Sequence, residues 1–217
     1  MKKLAMAALL LMPTWAMANT FSITNNGKAE DVATIKISFS GLISGNKSAA
    51  LQSVLDEINQ RYVNSKKIYL YLNSDGGNLD SALAMYYALR STNKQVVTVN
   101  QSMVASAATL PYCAGQERIV LKEANFIIHP AQMDSIADKN ITPAKLATAQ
   151  NYIGMYNRMF RNIYQHCTDF SAGEMDKALG SDDNRLYLTS EAALQHKLAT
   201  GIDDKMVAAP VSYFITD

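Results

Sequence analysis

Three short segments of this 217-residue chain carry side chains that could do chemistry together. The first holds Ser106. An apolar run at Val96 to Val99 leads through Asn100-Gln101-Ser102-Met103-Val104-Ala105 into Ser106-Ala107-Ala108. Ser106 then falls near the first turn of an apolar helix, where free amides and the positive helix end stabilise developing negative charge. Its alanine neighbours leave room for a substrate carbonyl. Taken alone, such a serine is more often a helix cap. The second segment is Phe126-Ile127-Ile128-His129-Pro130. A histidine at a strand end can turn its ring into a site at the edge of a sheet. There it could take a serine proton and return it to the leaving group. Alone it reads as a structural histidine. The third is Asn73-Ser74-Asp75-Gly76-Gly77. Adjacent glycines let the backbone expose amides and approach a ligand closely. The loop has neither phosphate-binding glycine pattern, and by itself it is a plain turn. His166 and His196 lie on predicted helices and are weaker candidates. With three histidines and no CxxC or HExxH spacing, neither a metal nor a cofactor is expected.

These residues need elements to position them. Ile35, Ile37 and Phe39 alternate with polar residues, as in a strand. Asn46 is the expected cap of a helix carrying Leu51, Val54, Leu55, Ile58 and Tyr62 on one face. Ile68 to Leu72 is a continuous apolar run, suited to a strand covered on both faces. A helix with Leu79, Ala82, Leu83, Tyr86 and Leu89 follows the glycine loop. Val96 to Val99 is another buried strand, and short runs follow at Ile119 to Leu121 and Phe126 to Ile128. Thr142-Pro143 marks a helix start. Along that helix Leu146, Ala149, Ile153, Tyr156, Phe160, Ile163 and Cys167 form a stripe, either core or subunit interface. Strands alternating with helices predict an α/β fold of stacked βαβ units, with a mostly parallel sheet and one additional long helix. Near the mature start, Asn26-Gly27 signals a tight turn.

Composition bounds the function. Hydrophobic residues make up 48% and charged ones 18%, enough for a sizeable core. Lys+Arg total 20 against 19 Asp+Glu, which gives no footprint for nucleic acid or anionic membrane. Residues 1–18 read as a signal peptide: Lys2 and Lys3, an apolar stretch from Leu4 to Trp15, then Ala16-Met17-Ala18 as the cleavage pattern. The remaining 19–217 read as one domain. Two lysines before a short apolar core look bacterial, so the expected location is the periplasm. Cys113 and Cys167 both stay in the mature chain. They could pair there or remain two buried thiols.

The three segments, taken in order, resemble the Clp protease proteolytic subunit, a member of the ClpP/crotonase superfamily. Lys67 to Gly77 is similar to the family strand that ends in Asn-Ser-Pro-Gly-Gly, with Asp75 in place of the proline. Gln101 to Gly115 resembles the nucleophile segment, with Gly115 nine residues after Ser106. Ala107-Ala108 replaces Met-Gly. Ile127-Ile128-His129-Pro130 resembles Met-Ile-His-Gln-Pro without the glutamine, and the Ser–His interval of 23 is two residues shorter than the family's. The likeness covers roughly residues 33 to 205. It implies a serine peptidase in which Ser106 attacks, His129 is base and then acid, and the amides of Gly76 and Ala107 form an oxyanion hole. For the residue that orients His129, the anchors Tyr187-Leu188 and Glu191-Ala192 point to Asp183 or Asn184. Asp183 is preferred because a carboxylate also stabilises the imidazolium, and Asp182 ranks below both. The implied substrate is a peptide or unfolded protein, added as an extended strand.

Three alternatives stay open at this level. One is a Ser-Lys enzyme like the signal-peptide peptidases, in which a lysine would replace His129. Another is a non-catalytic binding or assembly subunit. The third is acyl-coenzyme A chemistry, which relies on Glu or Asp bases. The family forms stacked rings fed by ATP-driven unfoldases. An exported chain has no ATP supply, so a homo-oligomer without an unfoldase partner is expected, with the 143–167 helix as the contact.

Overall fold

A computed structural model describes residues 19–24, 27–133 and 140–217. The segment read as an export leader, residues 1–18, lies outside the described residues, as does Asn26 of the expected turn. The elements run β1 (Asn19–Thr24), β2 (Thr34–Ser40), α1 (Gly45–Arg61), β3 (Lys67–Ser74), α2 (Leu79–Ser91) and β4 (Gln95–Ala105). A single 3-10 turn at Ser106–Ala108 runs into α3 (Thr109–Cys113). Then come β5 (Glu117–Leu121), β6 (Asn125–Ile128), α4 (Pro143–Cys167), α5 (Ala172–Ala178), β7 (Leu186–Leu188), α6 (Ser190–Gln195), β8 (Gly201–Asp203) and β9 (Val211–Thr216).

One sheet joins the strands in the order β1-β9-β2-β3-β4-β5-β8, with β6 on β4 and β7 on β6. Every pairing is parallel except β1 with β9 and β6 with β7. Parallel neighbours need a crossover, and α1 and α2 supply the first two, from β2 to β3 and from β3 to β4. This is the α/β architecture of stacked βαβ units with a mostly parallel sheet and one additional long helix.

The apolar pattern explains the packing. Ile35, Ile37 and Phe39 of β2 and Ile68, Leu70 and Leu72 of β3 are buried in one continuous core. α1 adds Leu51, Val54, Leu55 and Ile58 from one helical face. The opposite face of the sheet carries a smaller cluster of Tyr71, Val97 and Val99. Burying each large apolar side chain contributes about 1.5–3 kcal/mol against exposure. Tyr71 also uses its polar tip: its hydroxyl accepts from the Val207 N–H at 2.7 Å.

Two helix starts separate a correct cap from a displaced one. Thr142 caps α4, accepting from the Lys145 N–H, with Pro143 in the first turn as expected. α1 is capped by Ser44, not Asn46. A cap needs extended backbone before the first helical residue, and Ser44 has φ −132 and ψ 167 while Asn46 lies within the first turn.

α4 is 25 residues long, about 37 Å at 1.5 Å per residue. Its stripe does not have one environment. Phe160, Ile163 and Cys167 are buried, Ala149, Ile153 and Tyr156 are half-buried, and Leu146 is 50% exposed. Cys113 at the end of α3 is bonded to Cys167 at the end of α4, with Cα atoms 5.7 Å apart. That separation suits a bridge. Of the two states open from sequence, the structure holds the paired one.

Candidate active site

The site begins with an irregularity in β4. Leu72 of β3 lies opposite Asn100, but Ser74 lies opposite Val104, so β4 carries two extra residues there. Before the irregularity β4 pairs with β5, and beyond it Met103 to Ala105 pair with Asn125 to Ile127 of β6. Asn100 holds the switch. Its buried amide donates to the Asn125 carbonyl at 2.8 Å and accepts from the Ser102 N–H at 3.1 Å. The change of partner matters because Ala105 now lies opposite Ile127. Ser106 and His129 follow at the same end of adjacent parallel strands, which lie about 4.8 Å apart.

Ser106 is half-buried and has φ +53. Left-handed backbone costs an L-residue about 1–2 kcal/mol. Such strain concentrates where a side chain has to be presented in one direction. Ala105, not Ser106, occupies the cap position of the following turn, so capping does not account for the serine. Ala107 is the first amide past the bend, where no preceding helical carbonyl can receive it.

The glycine loop packs directly on this bend. A Cβ on Gly76 would lie 2.7 Å from Ser106 Cβ and 3.0 Å from Ala107 N, and Gly76 has φ +107. Only glycine fits there. The expected role of the Gly76 amide meets a different arrangement: Gly76 N–H donates to Ser74 Oγ at 3.2 Å. The Gly76 carbonyl accepts from the Ile43 N–H at 2.7 Å. In a trans peptide the next N–H points opposite to that carbonyl. The Gly77 N–H is therefore aimed away from Ile43. The Gly76 amide, the donor expected from the sequence, is thus engaged by Ser74 within its own loop. The signal that separates the two glycines is tertiary, because it is the contact with Ile43.

His129 directly follows β6, with its side chain 14% exposed. Its Nδ1 lies 2.7 Å from the Pro130 carbonyl. A carbonyl only accepts, so Nδ1 carries the hydrogen, and the neutral ring has its lone pair on Nε2. That is the tautomer a general base needs. Asn157 of α4 anchors the same loop by accepting from the Ala131 N–H at 2.7 Å.

Among the described residues the carboxylate nearest to the ring is Asp182, the candidate ranked lowest. Asp182 Oδ1 lies 3.7 Å from His129 Nδ1. Gln132 donates to Oδ2 at 2.9 Å and Arg185 to Oδ1 at 3.0 Å, so the carboxylate is held on both oxygens. Asp183 is exposed, and its contact is local, from its own N–H to Ser181 Oγ at 3.3 Å. The N–H of Asn184 turns back on the Ser181 carbonyl. The physical reason is the 3-10 turn over Asp182–Asn184. At three residues per turn, one position rotates a side chain by about 120°, so an error of one in the count aims the group elsewhere. Gln132 and Arg185 were not legible as part of the site.

The other two histidines lie elsewhere in the fold. His196 stacks on Phe170 at 4.2 Å between ring centres, with Nδ1 3.5 Å from Asp169. His166 lies in the exposed part of the last turns of α4.

Comparison with known proteins gives a consistent assignment. The sequence model of the family described as Clp protease matches residues 34–206. The chain is 26% identical over 148 residues to the ATP-dependent Clp protease proteolytic subunit 3 of Parasynechococcus marenigrum, covering 67% of this chain and 69% of the relative. It is 35% identical over 135 residues to proteolytic subunit 2 of Borreliella burgdorferi, covering 61% and 65%. Among solved structures, a ClpP1 point mutant from Listeria monocytogenes superposes with a TM-score of 0.66 at 18% identity, over 81% of this chain and 93% of the other. That superposition speaks for the fold.

Proposed function

Starting from a chain that belongs to the Clp protease family, we propose that this protein is an exported serine-type endopeptidase, a single peptidase domain over residues 19–217. Ser106 is the nucleophile and His129 the base, then the acid. Asp182, held by Gln132 and Arg185, is the group that orients and balances the imidazole, in place of Asp183. The amides of Ala107 and Gly77 receive the oxyanion, in place of the Gly76 amide.

The observation that carries this reading is the β4–β6 register. It sets a serine with left-handed backbone beside a histidine whose Nδ1 already bears the hydrogen, against a loop that admits only glycine. In the reaction Ser106 Oγ attacks a peptide carbonyl while Nε2 takes its proton. The negative oxygen then lies between two backbone donors, each such donor lowering the barrier by about 2.7–4 kcal/mol. Nε2 returns the proton to the amine as it leaves. Water repeats the sequence and frees Ser106.

A Ser-Lys mechanism would need an unpaired lysine at Ser106. Among the described residues the most buried lysine, Lys47, is 1% exposed and is tied to Asp217 at 2.7 Å and to the Ser40 carbonyl at 2.6 Å, which speaks against it in that role. The Cys113–Cys167 bond supports export, since such bonds persist in oxidising compartments. Substrates are peptides or unfolded proteins in extended form. We assign no nucleic-acid partner, no cofactor and no ATP-driven unfoldase, and a homo-oligomer as the working state.

The test is labelling with a fluorophosphonate probe, followed by peptide mapping. Ser106 is the expected adduct, lost in Ser106→Ala and slowed about 100-fold or more in His129→Ala. Folded protein that takes no label at Ser106 would overturn the peptidase reading. Activity that survives His129→Ala but dies with one lysine would replace it with the Ser-Lys mechanism.

A further inference from the structure

Behind Ser106 runs a buried hydrogen-bond relay that touches none of the reacting groups. Thr109 Oγ1 donates to the Ser106 carbonyl at 2.6 Å and lies 2.7 Å from the Tyr164 hydroxyl. Threonine has one hydroxyl hydrogen, and a carbonyl can only accept. Tyr164 of α4 therefore donates to Thr109, and Thr109 donates to Ser106. Both residues are buried, Thr109 at 0% and Tyr164 at 1% exposure. Burial pushes the Tyr164 phenol well above its usual range, so it remains a donor at every physiological pH.

The relay acts on the group across the peptide plane. The Ser106 carbonyl and the Ala107 N–H belong to one rigid trans peptide and point in opposite directions. Holding the carbonyl therefore aims the amide. This matters at Ser106 because φ +53 is a conformation that local propensity does not favour. A hydrogen bond to the carbonyl also polarises the peptide and strengthens its N–H as a donor. The other wall of the site is built alike, with the Gly76 carbonyl held by Ile43 so that Gly77 N–H is presented.

The geometry points to Thr109 and Tyr164 as positioning residues for the oxyanion hole: α4 aims the Ala107 amide through the Ser106 carbonyl. This rests on the reading of Ser106 as nucleophile. A relay of this kind acts on the transition state, so its loss lowers the maximal rate and leaves ground-state binding alone.

The experiment measures fluorophosphonate labelling of Ser106 as a function of probe concentration, separating kinact from KI, with melting temperature recorded for each variant. Thr109→Val is expected to lower kinact about tenfold or more with KI unchanged. Thr109→Ser, which keeps the hydroxyl, is expected to label at nearly the native rate. Tyr164→Phe should lower kinact severalfold, and it provides the test if Thr109→Val does not fold. In the double variant the losses should be less than additive, because both act through one bond. Native kinact in Thr109→Val and Tyr164→Phe would overturn the inference, as would Thr109→Ser labelling as slowly as Thr109→Val. A rise in KI at constant kinact would also overturn it. Absence of label in the native protein is a separate result: it removes the nucleophile itself.

Discussion

The assignment of Asp182 turns on a single rotation about a short turn. Its carboxylate is 3.7 Å from His129 Nδ1 and 45% exposed, so its pull on the ring is partly screened by water. Geometry still distinguishes it from its neighbour. Asp182→Asn removes the charge that balances an imidazolium, and kcat for peptide hydrolysis should fall at least ~10-fold, with KM nearly constant. Asp183→Asn should leave both within about twofold, since Asp183 faces away. Steady-state kinetics of the two variants decide the matter, and the reverse ranking would restore Asp183. The same scale explains what could be read directly. Ser106, His129 and the glycine pair are defined by residue type and order along the chain. Whether the Gly76 or the Gly77 amide is free depends on Ile43, more than 30 positions earlier in the chain, and no local pattern announces that contact.

Among the elements, α4 does the most to connect the molecule. Its far end carries Tyr164 and Cys167, and its middle carries Asn157, so it touches both the nucleophile segment and the histidine loop. The bridge from Cys113 closes a loop with a sequence separation of 54. Constraining the unfolded chain in this way contributes about 2–4 kcal/mol. The double variant Cys113→Ser/Cys167→Ser should therefore unfold at a lower urea concentration than the oxidised protein, and reductant should shift the native protein alone. α5 gives a pH prediction. Ser171 and Glu174 form a reciprocal capping box, and the Ser171 hydroxyl and N–H hold the Glu174 carboxyl below its usual value. A carboxyl with a depressed folded pKa adds stability above its unfolded value near 4.3, and loses it as pH falls through the lower folded value. Melting curves should show Glu174→Ala less stable than the native protein at pH 6–7, with the difference closing below about pH 4. A constant difference down to pH 3 would mean that the charge plays no part.

For the whole molecule, the exposed half of α4 is the feature that calls for a partner. Leu146, Tyr152 and Met155 are 50, 52 and 45% exposed on a helix whose other half is core. Large apolar surface left in water tends to be covered by association. Self-association through this face should give a sedimentation mass several times that of the 23.8 kDa chain. Tyr152→Lys with Met155→Lys should reduce it to the monomer without lowering the melting temperature of the domain. A native protein that sediments as a monomer at micromolar concentration would count against the homo-oligomer.

What the chain determined by itself was the class of fold and the family resemblance that nominates Ser106, His129 and the glycine pair. Apolar period, caps and turn residues act over a few positions, so β3, the start of α4, the βα junctions and the order Gly-Gly, Ser, His were legible without coordinates. The tertiary structure decided everything that depends on direction. The extra residues in β4 moved its partner from β5 to β6 and so set Ser106 and His129 at the same end of adjacent strands. A 3-10 turn set Asp182, and not Asp183, near the His129 ring, and the Gly76 and Ser106 carbonyls are held by Ile43 and Thr109. The cysteine pair was settled by where α3 and α4 end. The reason is common to all: hydrogen bonds and charges act through angles and ångströms, and these are fixed only when segments distant in sequence pack against one another.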